Sequence, residues 1–349
     1  MLDEKRTQQV KEILESCQRP LFFFHDDPDG AASFIQLYRF KGDGKGVIVK
    51  TGPRLTSDFI RRIQEYGSDK VFILDLALVD DEFIEGAKTP IVWIDHHGVE
   101  DARGTTYINP MAWGQNTPPS YMCYQVSGKK DPWLSLIGCV SDWFMPPEDL
   151  LNSFKAKYPG IIDKDYPNPE DLMFKTKVGD LVNMMAFNLK GKSTDAMSAV
   201  KVFCRLDGPM ELLDESSPQA RWITRRYRTV KAVYDEIRKD AIAVLEKHKG
   251  PLAHFISHKD RFAVTKDLSN ELSYLFQDKV LVIAREKNDE LKLSIRSSRK
   301  GPAIDKALEK AIVGLEAHGG GHEHACGASV KKEDFDTFLN SFREALGFK

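Results

Sequence analysis

The chain has 349 residues, 42% of them apolar, and its 50 basic and 52 acidic side chains leave a formal net charge of −2. That length allows two domains with sizeable cores. The near balance of charge argues against a protein that coats long duplexes by bulk attraction, while leaving room for a local basic groove. The five cysteines, Cys17, Cys123, Cys139, Cys204 and Cys326, form no C-x-x-C pair and are odd in number. Thiolate zinc and a disulfide framework are therefore disfavoured, and reduced thiols in a cytoplasmic protein are the expectation. Residues 1–6 lack an apolar signal core. No run approaches the roughly 18 apolar residues of a membrane span, so no membrane partner is expected.

Taken in order, residues 4–17 place Val10, Ile13, Leu14 and Cys17 at helical spacing, the pattern of an amphipathic covering helix. Residues 20–24 form a short apolar run, the mark of a strand buried on both faces. It leads into His25-Asp26-Asp27-Pro28-Asp29-Gly30, and small residues open a helix from 30 to 40. A short strand at 46–50 and a helix at 57–66 follow. The strand at 70–74 leads into Asp75, a short helix covers 80–86, and the strand at 90–94 leads into Asp95-His96-His97. Thr106-Tyr107-Ile108-Asn109-Pro110 follows with no element assigned, and a turn-rich loop runs from there to 119. Helices at 120–126 and 131–140 come next, the second ending at Asp142. Strand–helix alternation of this kind predicts βαβ units and a parallel sheet.

Residues 145–250 are helical in pattern, with one long helix over 219–249 that Pro251 terminates. Its early basic residues, Arg221, Arg225, Arg226, Arg228 and Lys231, read as a solvated face in preference to a phosphate-tracking one. The remainder predicts a smaller α/β domain, with strands at 252–256, 261–265, 279–285 and 290–296 and helices at 270–276, 303–313 and 332–346.

Several buried elements thus end in an acid or an imidazole. The bland reading is a set of satisfied core residues. Against it, carboxylates crowded at one sheet edge repel one another unless cations are present. In open α/β sheets that edge is also where ligands bind. Oxygen ligands mixed with imidazole suit Mn²⁺, Mg²⁺ or Zn²⁺.

His25-x-Asp27-x-Asp29-Gly30, Asp75, Asp95-His96-His97 and Asp142 resemble the four motifs of the DHH phosphoesterases. Gly319-Gly320-Gly321-His322-Glu323-His324-Ala325-Cys326-Gly327 resembles the signature of the DHH-associated type 1 domain. The resemblance implies a mostly parallel-sheet α/β DHH domain over 1–218 with a helical extension, a connecting helix over 219–250 and a smaller substrate-binding α/β domain over 251–349. It implies two ions, Mn²⁺ or Mg²⁺, with Asp75 bridging, His25 and Asp27 completing one site, and Asp29, His96 and Asp142 the other. Asp95 would support the site from behind, and His97 would face the substrate phosphate. Arg296, Ser297, the loop glycines Gly319, Gly320 and Gly321, and His322 would bind substrate. Asn109-Pro110 and Ser120 are softer matches, and Asp26 is a loop or supporting residue that the pattern does not require.

The implied activity is hydrolysis of short or single-stranded RNA or DNA to nucleoside monophosphates by in-line water attack, as in RecJ-like exonucleases and oligoribonucleases. Cyclic dinucleotides or 3′-phosphoadenosine 5′-phosphate are the alternative substrates. A non-catalytic replication scaffold is disfavoured by the intact ligand set, and a pyrophosphatase by the segment 319–322. A homodimer, or association with replication and repair proteins, is compatible with the resemblance.

Overall fold

The computed structural model describes residues 1–50, 54–259, 261–298 and 300–348. The chain divides into two units, Met1–Tyr227 and Arg228–Lys349. Among the described residues no helix is long and apolar enough to cross a membrane.

The first unit holds strands β1 (Pro20–His25), β2 (Lys45–Val49), β3 (Arg54–Leu55), β4 (Lys70–Leu74), β5 (Leu78–Val79), β6 (Ile91–Ile94) and β7 (Thr106–Ile108). Five form one sheet in the order β2-β1-β4-β6-β7, and every pairing in it is parallel. β3 and β5 make a separate short parallel pair. The chain leaves β1 for β2 on one side and then returns to β4 on the other. The order therefore switches between β1 and β4, the place where open parallel sheets leave a crevice at their carboxyl ends.

The apolar runs explain why these segments become central strands. Leu21, Phe23, Val71, Ile73, Ile91 and Trp93 share one core cluster with Leu55, Ile63 and Phe83. The alternate residues Phe22 and Phe24 meet Phe34 at ring distances of 5.4 and 4.6 Å. Both faces of β1 are thus covered, and each buried phenylalanine contributes on the order of 1.5–3 kcal/mol. The helices of this unit are α1 (Glu4–Ser16), α2 (Pro28–Lys41), α3 (Ile60–Tyr66), α4 (Asp81–Ala87), α5 (Pro119–Val126) and α6 (Pro132–Ser141). They are followed by α7 (Glu148–Lys157), α8 (Pro169–Lys175), α9 (Lys177–Asn188), α10 (Ser193–Phe203) and α11 (Pro209–Leu213). Strand β7 was not expected. Three residues ending in Asn109-Pro110 carry too short a pattern to stand out from a loop, and pairing with β6 decides them.

The long helix α12 (Pro218–Leu245) runs across the division between the units. Part of its basic face is engaged within the chain. Arg226 donates to the carbonyls of Asn188 and Lys190, Arg221 to that of Glu215, and Lys231 pairs with Asp235.

In the second unit, β8 (Leu252–Ser257), β9 (Val280–Lys287), β10 (Glu290–Arg296), β11 (Ala317–His322) and β12 (Ala325–Lys331) form a sheet in the order β11-β12-β10-β9-β8. Only β8 and β9 pair in parallel. Helices α13 (Thr265–Leu275), α14 (Asp305–Ala311) and α15 (Phe335–Ala345) accompany it. The core gathers Val282, Leu293, Ile295, Leu308, Phe338 and Phe342.

Two expectations are corrected here. Residues 261–265 form no strand: Thr265 already opens α13, whose buried Leu268 and Leu272 follow helical spacing. The glycine run is not a loop. Gly319, Gly320 and Gly321 lie in edge strand β11, opposite Ala328, Gly327 and Cys326. A Cβ on Gly319 would meet Ala328 Cβ at 2.7 Å, and one on Gly321 would meet the Ala325 carbonyl oxygen at 2.4 Å. Glycine is needed for close approach of the two strands, and it erases the apolar alternation that marks a strand.

Entry into β1 depends on one carboxylate. Asp69 accepts from Cys17 Sγ at 2.9 Å and from the backbone N–H groups of Gln18 and Arg19, both at 2.7 Å. Burial alone would raise its pKa, but these donors outweigh it and hold the carboxyl at about 2. A depressed acid stabilises above its unfolded pKa, and that stabilisation disappears as pH falls through the folded value. The residue is exposed, so solvent screens part of the effect. Asp69→Ala is therefore expected to lower unfolding free energy by about 1 kcal/mol at pH 7. In urea titrations the gap to the wild type should narrow between about pH 4 and pH 2; a gap independent of pH would contradict this account.

Candidate metal centre

Each candidate ligand sits where a strand or helix begins or ends. Asp27 precedes α2, and its Oδ1 accepts from the backbone N–H groups of Asp29 and Gly30, both at 3.1 Å, as a helix cap. Its Oδ2 is left to face His25 Nδ1 at 3.1 Å. Pro28 at the first helical position is compatible with that cap. The N-terminus of α2 brings its partial positive charge to the same place. Gly30 lets the helix start against β1, since a Cβ there would meet the His25 carbonyl oxygen at 2.6 Å.

Asp75 follows β4 in the left-handed region, with φ of 57°. Aspartate tolerates that conformation better than most residues. It turns the carboxylate into the centre of the group, with Oδ2 at 3.2 Å from His25 Nδ1 and Oδ1 at 3.5 Å from His96 Nε2. His96 Nε2 also meets Asp142 Oδ2 at 3.1 Å, where α6 ends. Ligand atoms of His25, Asp27 and Asp75 lie within 4.8 Å of one another, as do those of Asp29, Asp75, His96 and Asp142. A third grouping takes Asp75, His96 and His97. Asp75 is common to all three.

Asp29 is fully buried. Its Oδ1 accepts from the Ser120 backbone N–H at 3.1 Å, and its Oδ2 has no partner among the described residues. A carboxylate oxygen stranded in this way is costly unless something else bonds it. Gly138, one turn before Asp142, provides the space: a Cβ there would approach Ser120 Oγ to 2.2 Å and Asp29 Oδ1 to 2.7 Å.

The charges shift one another accordingly. Burial first, then Asp142 and Asp75, hold the Asp29 carboxyl well above the usual carboxylate range. Burial and Asp27 likewise raise Asp75. Burial alone would lower both ligand histidines, but the acids outweigh it. Asp27 and Asp75 raise His25 well above its ordinary value, and Asp142 and Asp75 push His96 up to about 12. The group retains protons that its members would release in water, the electrostatic mark of a site shaped for cations. The mixed carboxylate and imidazole set, with its orphaned buried oxygen, fits divalent ions of the Mn²⁺ and Mg²⁺ kind.

Asp95 lies behind this group. Fully buried, it accepts from His97 Nδ1 at 2.8 Å and from the His97 backbone N–H at 3.0 Å. Asn109 donates to the His97 carbonyl at 3.0 Å and ties the same turn to the sheet edge. Held at Nδ1, the ring presents Nε2 as its working atom.

Three contributors escaped the sequence reading. Asn116 Oδ1 meets His96 Nδ1 at 3.2 Å, which leaves the Nε2 lone pair for a cation. Lys50 Nζ meets Asp26 Oδ2 at 3.1 Å, while Asp26 Oδ1 stands 3.7 Å from His25 Nε2. Gly138 is the third. An asparagine in a turn, a lysine after a strand and a glycine in a helix carry no signal until the fold brings them together.

The second-unit candidates form another group. Arg296 ends β10, and Ser297 follows it, donating its backbone N–H to the His324 carbonyl at 3.1 Å. Arg296 Nη1 donates to the carbonyls of Ile295 and Cys326, and the Cys326 Sγ donates to the His322 carbonyl. Arg296 is thereby tied to the β11–β12 hairpin that carries Gly319, Gly320, Gly321 and His322.

Residues 252–347 match the family model of the DHHA1 domain. No curated protein matches the chain. Among solved structures, RecJ with Mn²⁺ from Thermus thermophilus is similar at a TM-score of 0.72 and 13% identity, over 99% of this chain and 55% of that one. The chain thus spans about half of that relative's length. A structure of exonuclease RecJ bound to manganese is similar at a TM-score of 0.68 and 13% identity, over 99% and 95% of the two chains. The pGpG-specific phosphodiesterase PggH from Vibrio cholerae is similar at a TM-score of 0.51 and 12% identity, over 95% and 99%. At these identities the likeness is one of fold. The chain thus carries a DHHA1 domain at residues 252–347 and has the α/β architecture of the RecJ fold.

Proposed function

We propose that the chain is a divalent-cation-dependent phosphodiesterase that hydrolyses short or single-stranded oligonucleotides to nucleoside monophosphates. The observation that carries this reading is the sharing of Asp75 between two ligand groups, one with His25 and Asp27, the other with Asp29, His96 and Asp142. In this reading residues 1–218 perform the hydrolysis, 219–250 connect, and 251–349 bind the nucleotide. Bound cations of the Mn²⁺ or Mg²⁺ type would supply a hydroxide nucleophile at neutral pH and neutralise charge on both sides of the phosphate.

The chain's own residues do the rest. Asp75, between two histidines, fixes the separation of the two ligand groups. His97, oriented by Asp95, donates from Nε2 to the phosphoryl oxygens or to the departing oxygen. In the second unit Arg296 and Ser297, the backbone of Gly319, Gly320 and Gly321, and His322 bind the phosphate and base of the nucleotide. Arginine provides a planar fork for phosphate that lysine lacks. The Vibrio relative, a pGpG-specific phosphodiesterase, is covered over 99% of its length, which favours very short substrates. Cyclic dinucleotides and 3′-phosphoadenosine 5′-phosphate are the alternatives.

The direct test incubates the protein and Mn²⁺ with end-labelled RNA and DNA of graded length and with cyclic dinucleotides. Shortening to mononucleotides is expected from the wild type and none from Asp75→Asn; equal turnover by both would refute the shared-ligand role. Asp29→Asn removes a buried acid that without a cation is costly whether protonated or charged. Under chelation at pH 7 its thermal midpoint should lie several degrees above the wild type, and Mn²⁺ should reverse the order by stabilising the wild type more. A wild type indifferent to Mn²⁺ in that scan would reject the cation site. Arg296→Ala should raise KM for a dinucleotide about tenfold or more, while bis(p-nitrophenyl) phosphate is less affected. Equal losses on both would count against a grip on the nucleotide.

A further inference from the structure

Arg296 is held in an unusual way for a half-buried arginine. Its Nε–H donates to Asn270 Oδ1 at 2.6 Å, and its Nη1 donates to the carbonyls of Ile295 at 2.9 Å and Cys326 at 3.2 Å. All three acceptors are neutral. Among the described residues no carboxylate lies within 4.0 Å of the guanidinium, and no acceptor is bonded to Nη2. Buried cations are ordinarily paired with an acid. Burial lowers the guanidinium toward a pKa of about 10, against the weaker opposing pull of Cys326 and of Asp267, an acid on α13 that does not hydrogen-bond it. The group stays protonated at neutral pH, so the second unit keeps a partly desolvated positive charge whose Nη2 donors are uncommitted.

We infer that Asn270 is a positioning residue that fixes the Arg296 fork while leaving its charge unspent for a phosphate group. This rests on the assignment of Arg296 to nucleotide binding and extends it to how the arginine is prepared. Asn270 projects from α13, and Arg296 ends β10, so one element of the second unit holds the arginine on another. An amide is the side chain for the task. It accepts from Nε–H with the reach an aspartate would have, but it brings no negative charge. An aspartate in the same place would make the Nε bond stronger and cancel the field an incoming phosphate senses. An alanine would remove the bond and free the long side chain to wander, so that ordering it would fall to the ligand.

Binding measured under chelation separates this from the metal centre. The probes are AMP, inorganic phosphate and adenosine, titrated into the full chain by calorimetry in EDTA. The wild type is expected to prefer AMP over adenosine. Asn270→Asp should erase that preference, with AMP affinity falling tenfold or more while the thermal midpoint is unchanged or higher. Asn270→Ala should weaken AMP several-fold and adenosine hardly at all. AMP affinity at the wild-type level in either variant, or no preference for AMP over adenosine in the wild type, would overturn the inference. Hydrolysis of bis(p-nitrophenyl) phosphate by the wild type with Mn²⁺ tests the phosphodiesterase reading by itself. Its absence alongside the expected AMP results would remove that reading and leave the arginine cradle standing; normal hydrolysis with unchanged AMP binding in the variants would do the reverse.

Discussion

The repulsion among Asp27, Asp29, Asp75 and Asp142 is the constraint around which the first unit is arranged. Four carboxylates converge where the parallel sheet changes direction, and Asp29 and Asp75 are almost fully buried. Such a concentration of like charge opposes folding unless protons, imidazoles or cations offset it. The surroundings supply part of that offset. His25 and His96 stand between the acids, the N-terminus of α2 points at them, and Asp29 takes the Ser120 backbone N–H. The stranded Oδ2 of Asp29 is what these measures leave unanswered.

Supporting such a group calls for rigidity, and the sheet provides it. β1, β4 and β6 are packed on both faces by aromatic and branched side chains, so the positions where they end are fixed to within the tolerance of a close-packed core. The turns that follow carry the chemistry, and their conformations are held by backbone bonds such as Asp75 N–H to the Ile94 carbonyl at 3.0 Å and Asp95 N–H to the Ile108 carbonyl at 3.0 Å. One glycine in α6 and one at the start of α2 permit the close approach that any side chain would forbid.

The two units treat charge in opposite ways by related means. In the first, acids are gathered and imidazoles are oriented by neighbours: His96 by Asn116, His97 by Asp95. In the second, a single guanidinium is oriented by neutral acceptors, and Asp267 acts on it only through space. Negative charge left over in one place suits cations, and positive charge left over in the other suits phosphate.

Much of this was legible before any coordinates, for a definite reason. Uninterrupted apolar runs such as Leu21–Phe24, Val71–Leu74 and Ile91–Ile94 have few ways to be buried other than as central parallel strands, and the polar residues after them must then fall on one edge. Strand β7 and the β11–β12 hairpin were not legible, because three residues or a run of glycines hold no periodic pattern and only pairing with a neighbour decides them. The same holds for the expected strand at 261–265, where residues 261–264 form no regular element and α13 opens at Thr265. Order along the chain was enough to nominate His25, Asp75, His96 and Asp142. It could not reveal that Ser120 and Gly138 shape the pocket of Asp29, that Asn116 orients His96, or that Asn270 holds Arg296. Those contacts join residues far apart in sequence through directional bonds and steric limits, and both exist only once the chain has folded.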